Sequence, residues 1–326
     1  MAATSSPALG IYYEHPDWYR PLFSELDRRG VPHARILATG HTFDPAGRAP
    51  HAVVLNRMSP SAYTRGAGDL TFYTLDYLTH LERLGVRVIN GVRAWTTEIS
   101  KARQLTLLEG LGLSYPRARV IHRWSQAPAA AEGLRFPVVV KPNIGGSGAG
   151  ILRFQTPDAL AEAARAAATS LGVDGTALVQ EYLTPRDGRI VRVEVLDGTF
   201  LYAIRIYTSG DTFNLCPADV CLGADGAELS RIACAADTPA NTLRVEAYTP
   251  PHEIIAAVER LTAAAGIEIG GVEYLVDDRT GAPSFYDINA LSNFVADAPR
   301  VVGFDPFARL ADWLQAELAR AAQVVA

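Results

Sequence analysis

Short apolar strands alternating with amphipathic helices predict an α/β (α+β) chain with more than one packed unit. Three stretches carry that prediction: a strand and helix alternation over residues 8–95, a strand, glycine loop and strand at 136–154, and two hairpin-joined strands at 270–289. At 326 residues, 48% hydrophobic and 20% charged, the chain has a globular composition with room for two or three units.

The formal net charge is −5 and no lysine-arginine run occurs, which weighs against a nucleic-acid surface or an anionic membrane as the main partner. Any phosphate site must then be local. The three cysteines, Cys216, Cys221 and Cys234, are an odd number suited to a reducing compartment, with no fourth ligand at a zinc spacing. The N-terminal residues lack a basic segment followed by a long apolar core, and no stretch reaches the ~18 apolar residues of a membrane span. A cytoplasmic location is the expectation.

Residues 9–13 read as a strand, 17–29 as an amphipathic helix stopped by Gly30, and 34–37 as a second extended segment. Residues 52–55 form a further strand that runs into Asn56 and Arg57. The carboxyl ends of strands in such sheets are where ligands lie, and a guanidinium there can clamp a carboxylate or phosphate. A solvated loop arginine explains Arg57 equally well. Over 69–84 the apolar positions recur at helical spacing until Gly85, and 86–89 is the next strand.

A helix opens at Ser100 and Lys101 and leads through Leu108 into a strand. The segment FPVVVKPNIGGSGAGILRF at 136–154 is the centre of the chain's chemistry. It places β-branched residues and Lys141 before Gly145, Gly146, Ser147, Gly148 and Gly150, with an apolar strand after them. Glycines so dense permit positive φ, and their backbone N–H groups form a concavity suited to phosphate oxygens. A flexible hairpin turn is the plain alternative. The order differs from both familiar nucleotide loops, because here the lysine precedes the glycines and a strand follows them.

Next come an alanine-rich helix at 157–171, a buried strand at 176–183, and a hairpin of 189–196 with 199–207 across Asp197 and Gly198. Arg192 and Arg205 lie in its apolar strands and need anionic partners if buried; exposure on an edge strand is the alternative. Residues 208–248 are long, polar and without regular pattern, as functional loops are. We expect them to shape an acceptor site. A helix at 251–265 precedes the strands 270–276 and 284–289, and a last helix at 305–322 is expected to pack on this unit. Glu273 lies within the first strand, and Asp287 and Asn289 are two apart in the second, hence on one face. Such oxygens suit magnesium, which takes few protein ligands and keeps water or phosphate in its other positions.

Taken together, Lys101, Lys141 forty residues on, the glycine loop, the strand ending in Gln180, Glu181, Tyr182 and Leu183, the arginines, and then Glu273, Asp287 and Asn289 resemble the ATP-grasp superfamily in order and spacing. The likeness is to the RimK-type and glutathione-synthetase-type ligases and extends over nearly the whole chain. It implies an N-terminal α/β domain (1–95), a central ATP-grasp subdomain (96–183) and a C-terminal one with the metal site (184–326). It implies that Lys101, Lys141, Gly146, Ser147 and Gly148 meet the nucleotide phosphates and that residues 180–183 read the adenine edge by their backbone. It also implies that Arg205 and Arg192 face the transferred phosphoryl group and that Asn214 approaches the phosphates. ATP and Mg2+, with Mn2+ as a substitute, are the implied cofactors. The family's metal site commonly has Glu-x-Asn where this chain has Asp287 and Asn289, one methylene shorter. The implied activity is carboxylate–amine ligation on an amino acid or small peptide through an acyl phosphate, by a possible homo-oligomer. An ATP-grasp kinase and a non-catalytic nucleotide-binding regulator are the alternatives.

Overall fold

We describe the protein from a computed structural model covering residues 8–146, 148–166, 170–207 and 244–325. Asn214, Ser147, the three cysteines and most of the 208–248 segment lie outside the described residues.

The N-terminal sheet is parallel, in the order β2-β1-β3-β4. β1 (Leu9–Tyr13) is buried along its whole length, and β3 (Val53–Arg57) runs two residues further than its apolar pattern, carrying Asn56 and Arg57 into the interior. β2 (His33–Leu37) and β4 (Arg87–Ile89) flank them. α1 (Arg20–Arg28) starts later than the periodicity predicts, with Pro21 in its first turn where a missing N–H costs nothing. It turns Leu22, Phe23 and Leu26 inward. α2 (Leu70–Arg83) covers the other side.

Two helices link this sheet to the rest. α3 (Val92–Glu98) has no counterpart in the sequence reading, because seven residues with two adjacent threonines are too short for a clear period. α4 (Lys101–Gly110) is capped by Ser100, whose hydroxyl accepts from the Arg103 N–H at 3.3 Å. Ala94 of α3 and Leu108 of α4 pack with α7 (His252–Ala265) on the C-terminal sheet.

The central sheet is antiparallel, β5-β8-β6-β7, formed by Ala118–Ile121, Ala177–Glu181, Val138–Pro142 and Leu152–Phe154. α5 (Ala127–Ala130) and α6 (Pro157–Ala166) close its core over Val138, Val140 and Val179.

The C-terminal sheet, also antiparallel, runs β11-β10-β9-β12-β13. β9 (Pro185–Leu196) and β10 (Thr199–Tyr207) are joined across Asp197 and Gly198, both at positive φ (56° and 67°), as a two-residue hairpin turn requires. β11 (Val245–Tyr248) is a strand at the end of a segment whose sequence shows no pattern. β12 (Ile269–Asp277) and β13 (Pro283–Asn289) complete the sheet. One face packs on α7; the other shares a core with the N-terminal sheet, where Ile204 and Leu275 join Ile11 and Leu55.

After α8 (Ala298–Val302), α9 (Pro306–Val325) departs from expectation. Its Leu310 and Leu314 lie in that shared core, and the helix packs on α1, with Arg29 Nη1 donating to Asp312 Oδ1 at 2.5 Å. It therefore ties the N-terminal unit to the C-terminal one. Among the described residues no helix is long and apolar enough to cross a membrane.

Candidate active site

A cavity of about 290 Å³ opens between the three units, lined by strand residues of the central and C-terminal sheets and by loop and helix residues of the N-terminal unit. The glycine loop forms one wall, and its Gly146 sits so close to Ser61 of the N-terminal unit that a Cβ there would lie 2.6 Å from the Ser61 Cβ. Trp18, Ser59 and Ser61 form the facing wall, and Gln180, Glu181, Tyr182 and Leu183 follow β8 along the edge.

Asn143, just past β6, aligns the two lysines. Its side-chain oxygen accepts from the Ala102 N–H at 2.9 Å and the Ser100 hydroxyl at 3.3 Å, its carbonyl accepts from the Lys101 N–H at 3.2 Å, and its amide donates to Asp174 at 2.7 Å. The start of α4 is thereby pinned to the end of β6. Lys101 then reaches Asp287 and forms an ion pair with it. Lys141 is buried, and burial together with the neighbouring Lys101 charge pushes its ammonium down to about 7.

Cross-strand register builds the floor. Arg192 on β9, Glu273 on β12 and Asp287 on β13 stand in one row, and Glu194, Gly271 and Asn289 stand in the row two residues away. Arg192 donates from Nη1 to Glu273 at 2.9 Å and from Nε to Glu194 at 2.6 Å. Its guanidinium lies across Gly271, where a Cβ would come 2.7 Å from Nε. An irregularity in the β12–β13 pairing beside Glu273 leaves Tyr286 as an extra residue, and its hydroxyl donates to Glu273 at 2.9 Å.

Burial raises the Glu273 carboxyl despite Arg192 beside it. Burial acts the same way on Asp287, but Lys101 and Lys141 outweigh it and hold that carboxyl below its usual range. Glu98, at the end of α3, accepts from the Ala290 N–H, and burial pushes it up to about 8. Among the described residues no group of three or more His, Cys, Asp or Glu side chains is arranged to hold a metal. The oxygen set here is two carboxylates and an amide, and Asn289 Nδ2 is buried without a hydrogen-bond partner among the described residues.

Of the residues singled out in the sequence, the cleft gathers Lys101, Lys141, Gly146, Gly148, residues 180–183, Arg192, Glu273, Asp287 and Asn289. It does not gather Arg205 or Arg57. Arg205 pairs with Val191, not Arg192, across the β9–β10 ladder, so it points to the opposite sheet face; there it stacks on Tyr248 at 3.8 Å and meets Glu246 at 3.4 Å. A β-bulge between Phe200 and Tyr202 causes this. Without the extra residue the two arginines would share a face. Arg57 is 1% exposed beneath the cleft, donates to the Ser292 carbonyl, and lies 5.2 Å from the Tyr19 ring. Sequence reasoning passed over Glu98 and Glu194. Each is an acid in an apolar stretch, three residues before Lys101 and two after Arg192 respectively.

These three sheets, with a glycine loop folded over a lysine-bearing strand and an acid-bearing hairpin, define the ATP-grasp fold. Residues 99–218 match the family model of the RimK-like ATP-grasp domain. Among solved structures, the ATP-grasp ligase PsnB with a minimal precursor superposes with a TM-score of 0.67 at 20% identity, covering 95% of this chain and 99% of that one. The D-cycloserine synthetase DcsG does so with a TM-score of 0.66 at 18% identity over 95% and 99%. In sequence, the chain is 30% identical over 164 residues to a D-alanine–D-alanine ligase of Haemophilus influenzae, covering 49% of this chain and 52% of that protein. It is 28% identical over 260 residues to a probable alpha-L-glutamate ligase of Enterobacter sp. (strain 638), covering 77% and 75%. The chain spans about half the length of the D-alanine–D-alanine ligases it matches.

Proposed function

We propose that the protein is an ATP-dependent, ADP-forming carboxylate–amine ligase acting on an amino acid or small peptide through an acyl phosphate. One observation carries this reading: Lys101, Lys141 and Arg192 converge with Glu273 and Asp287 in one cleft beneath the glycine loop. Relatives named as ligases of D-alanine and of L-glutamate support the substrate class.

In this reading residues 1–95, 96–183 and 184–326 act as three units. Backbone groups at 180–183 hold the adenine, and the amides of Gly146 and Gly148 cradle the phosphates. Lys141, buried and easily discharged, regains its proton beside a phosphate and becomes a charge clamp there. Lys101, now paired with Asp287, is within reach of the same groups. Arg192 stabilises the phosphoryl group in transfer from a position fixed by Glu194, Glu273 and the bare surface of Gly271. The donor set fits Mg2+, because Glu273 and Asp287 are hard oxygen ligands facing each other across two strands and Asn289, with its side-chain carbonyl oxygen, stands two residues from Asp287 on the same strand. When bound there, the ion would neutralise charge on the β- and γ-phosphates. The glycine loop packed on Ser61 excludes water that would hydrolyse an acyl phosphate.

The test is release of ADP and phosphate from Mg-ATP across a panel of amino-acid pairs, with Lys141→Ala as control. Turnover that needs both a carboxylate and an amine and disappears in the variant is the expected result. Failure to bind ATP contradicts the reading, and phosphorylation without an amine would make the protein a kinase.

A further inference from the structure

Four polar atoms of the cleft have no hydrogen-bond partner among the described residues: Trp18 Nε1, a donor on the facing wall, and Glu194 Oε2, Asn289 Nδ2 and Asn293 Oδ1. Asn289 belongs to the metal and phosphate end already described. Glu194 does not. It is 1% exposed, and while Oε1 receives Arg192 Nε at 2.6 Å, Oε2 meets no donor among the described residues. A buried carboxylate oxygen left this way is costly unless a ligand completes it.

Its place in the sheet says which end of the cleft it serves. Across the face, Asp287 and Glu273 come first, Arg192 reaches over Gly271, and Glu194 lies on the far side, opposite Tyr202 of β10. The chain after β13 returns over this corner, fixed where the Val295 N–H donates to the Tyr202 hydroxyl at 2.9 Å. That return brings Asn293 into the cleft, and with it the second unpartnered acceptor. The Arg192 guanidinium is shared between two carboxylates, Glu194 and Glu273, and the buried Arg57 guanidinium also acts on Glu194 electrostatically. The corner therefore offers two acceptor oxygens that meet no donor among the described residues. A primary ammonium is the complementary group, with three donors, one positive charge and no acceptor.

We propose that Glu194, assisted by Asn293, receives the protonated amino group of the substrate that reacts beside Arg192, which restricts that substrate to amino acids and amine-bearing peptides and excludes hydroxy acids. The assignment rests on the ligase reading and deepens it by naming the residue that reads the amine.

The experiment is calorimetric titration, in the presence of a non-hydrolysable Mg-ATP analogue, of each amino acid in the ligation panel and of its 2-hydroxy acid counterpart. In the wild type the accepted amino acid binds about 10- to 100-fold more tightly than its hydroxy analogue. Glu194→Gln abolishes that preference by weakening the amino acid alone, and Glu194→Asp restores part of it. Retained affinity of both variants for the ATP analogue reports that the fold is intact. The assignment is overturned if Glu194→Gln keeps the preference, if hydroxy acids bind the wild type equally well, or if the analogue binds and no amino acid does. Loss of analogue binding by the wild type overturns the ligase reading itself, a separate and recognisable result.

Discussion

Lys141 has a pKa pushed down to about 7 from its usual 10.5, so in the free protein much of its charge is lost above neutrality. A phosphate placed against it raises that value again, because the anion favours the protonated form. Nucleotide binding should then take up a proton above pH 7, with affinity falling as pH rises through that range. Calorimetry in buffers of different ionisation enthalpy measures the uptake directly, and a buffer-independent heat would contradict the assignment. The two arginines make the second residue-scale prediction. Arg192→Ala should lower kcat by about 100- to 1000-fold, the usual loss when a donor to developing charge is removed. Arg205→Ala should leave kcat within about threefold, since a half-exposed ion pair contributes little. Equal losses in the two variants would place the phosphoryl group on the wrong face of the sheet. The sequence could not separate these residues. Hairpin parity alone puts both on one face, and only the bulge at Phe200 to Tyr202 parts them.

At the scale of elements, the strands and helices with clean periodicity were legible from end to end: β1, α2, α7 and the β9–β10 turn lie where alternation, helical spacing and Asp197-Gly198 put them. α3 was not legible, because seven residues give less than two turns of pattern, and with it Glu98 stayed unseen. β11 was hidden for a related reason, a four-residue edge strand at the end of an irregular segment. Nor could the sequence show how β6 and α4 are locked together, since Asn143 looks like any turn residue after a proline. Its four described bonds to α4 and Asp174 make it the joint between the two lysine-bearing elements. Asn143→Ala should cost about 1–3 kcal/mol, the penalty for leaving buried partners unmet. It should also weaken ATP binding without altering any group that touches the nucleotide. Denaturant unfolding and ATP titration check the two effects, and unchanged affinity would show that the lysines hold their positions without this joint.

The molecule as a whole is held by a core that crosses the boundary between its N-terminal and C-terminal sheets, with α9 inserted through it. Apolar periodicity revealed that α9 is a helix but not which partner it covers, because an amphipathic face specifies burial and not its neighbour. Leu314 is fully buried in this shared core. Leu314→Ala should destabilise the protein by about 2–5 kcal/mol. If the core is continuous, the signals from both sheets should move together in thermal melts; separate transitions would contradict it. That rigidity matters for the site, since the cleft is complete only while Trp18 and Ser61 stay opposite Arg192 and Glu273. In the proposed ligation this cleft activates a carboxylate by phosphorylation before an amine attacks. That step is tested most directly by supplying a substrate carboxylate labelled with oxygen-18 and following the label by mass spectrometry. Transfer of one labelled oxygen into the released phosphate, dependent on Lys141 and accompanied by an amide product, is the predicted result. Phosphate free of label, alongside turnover, would contradict the acyl-phosphate mechanism.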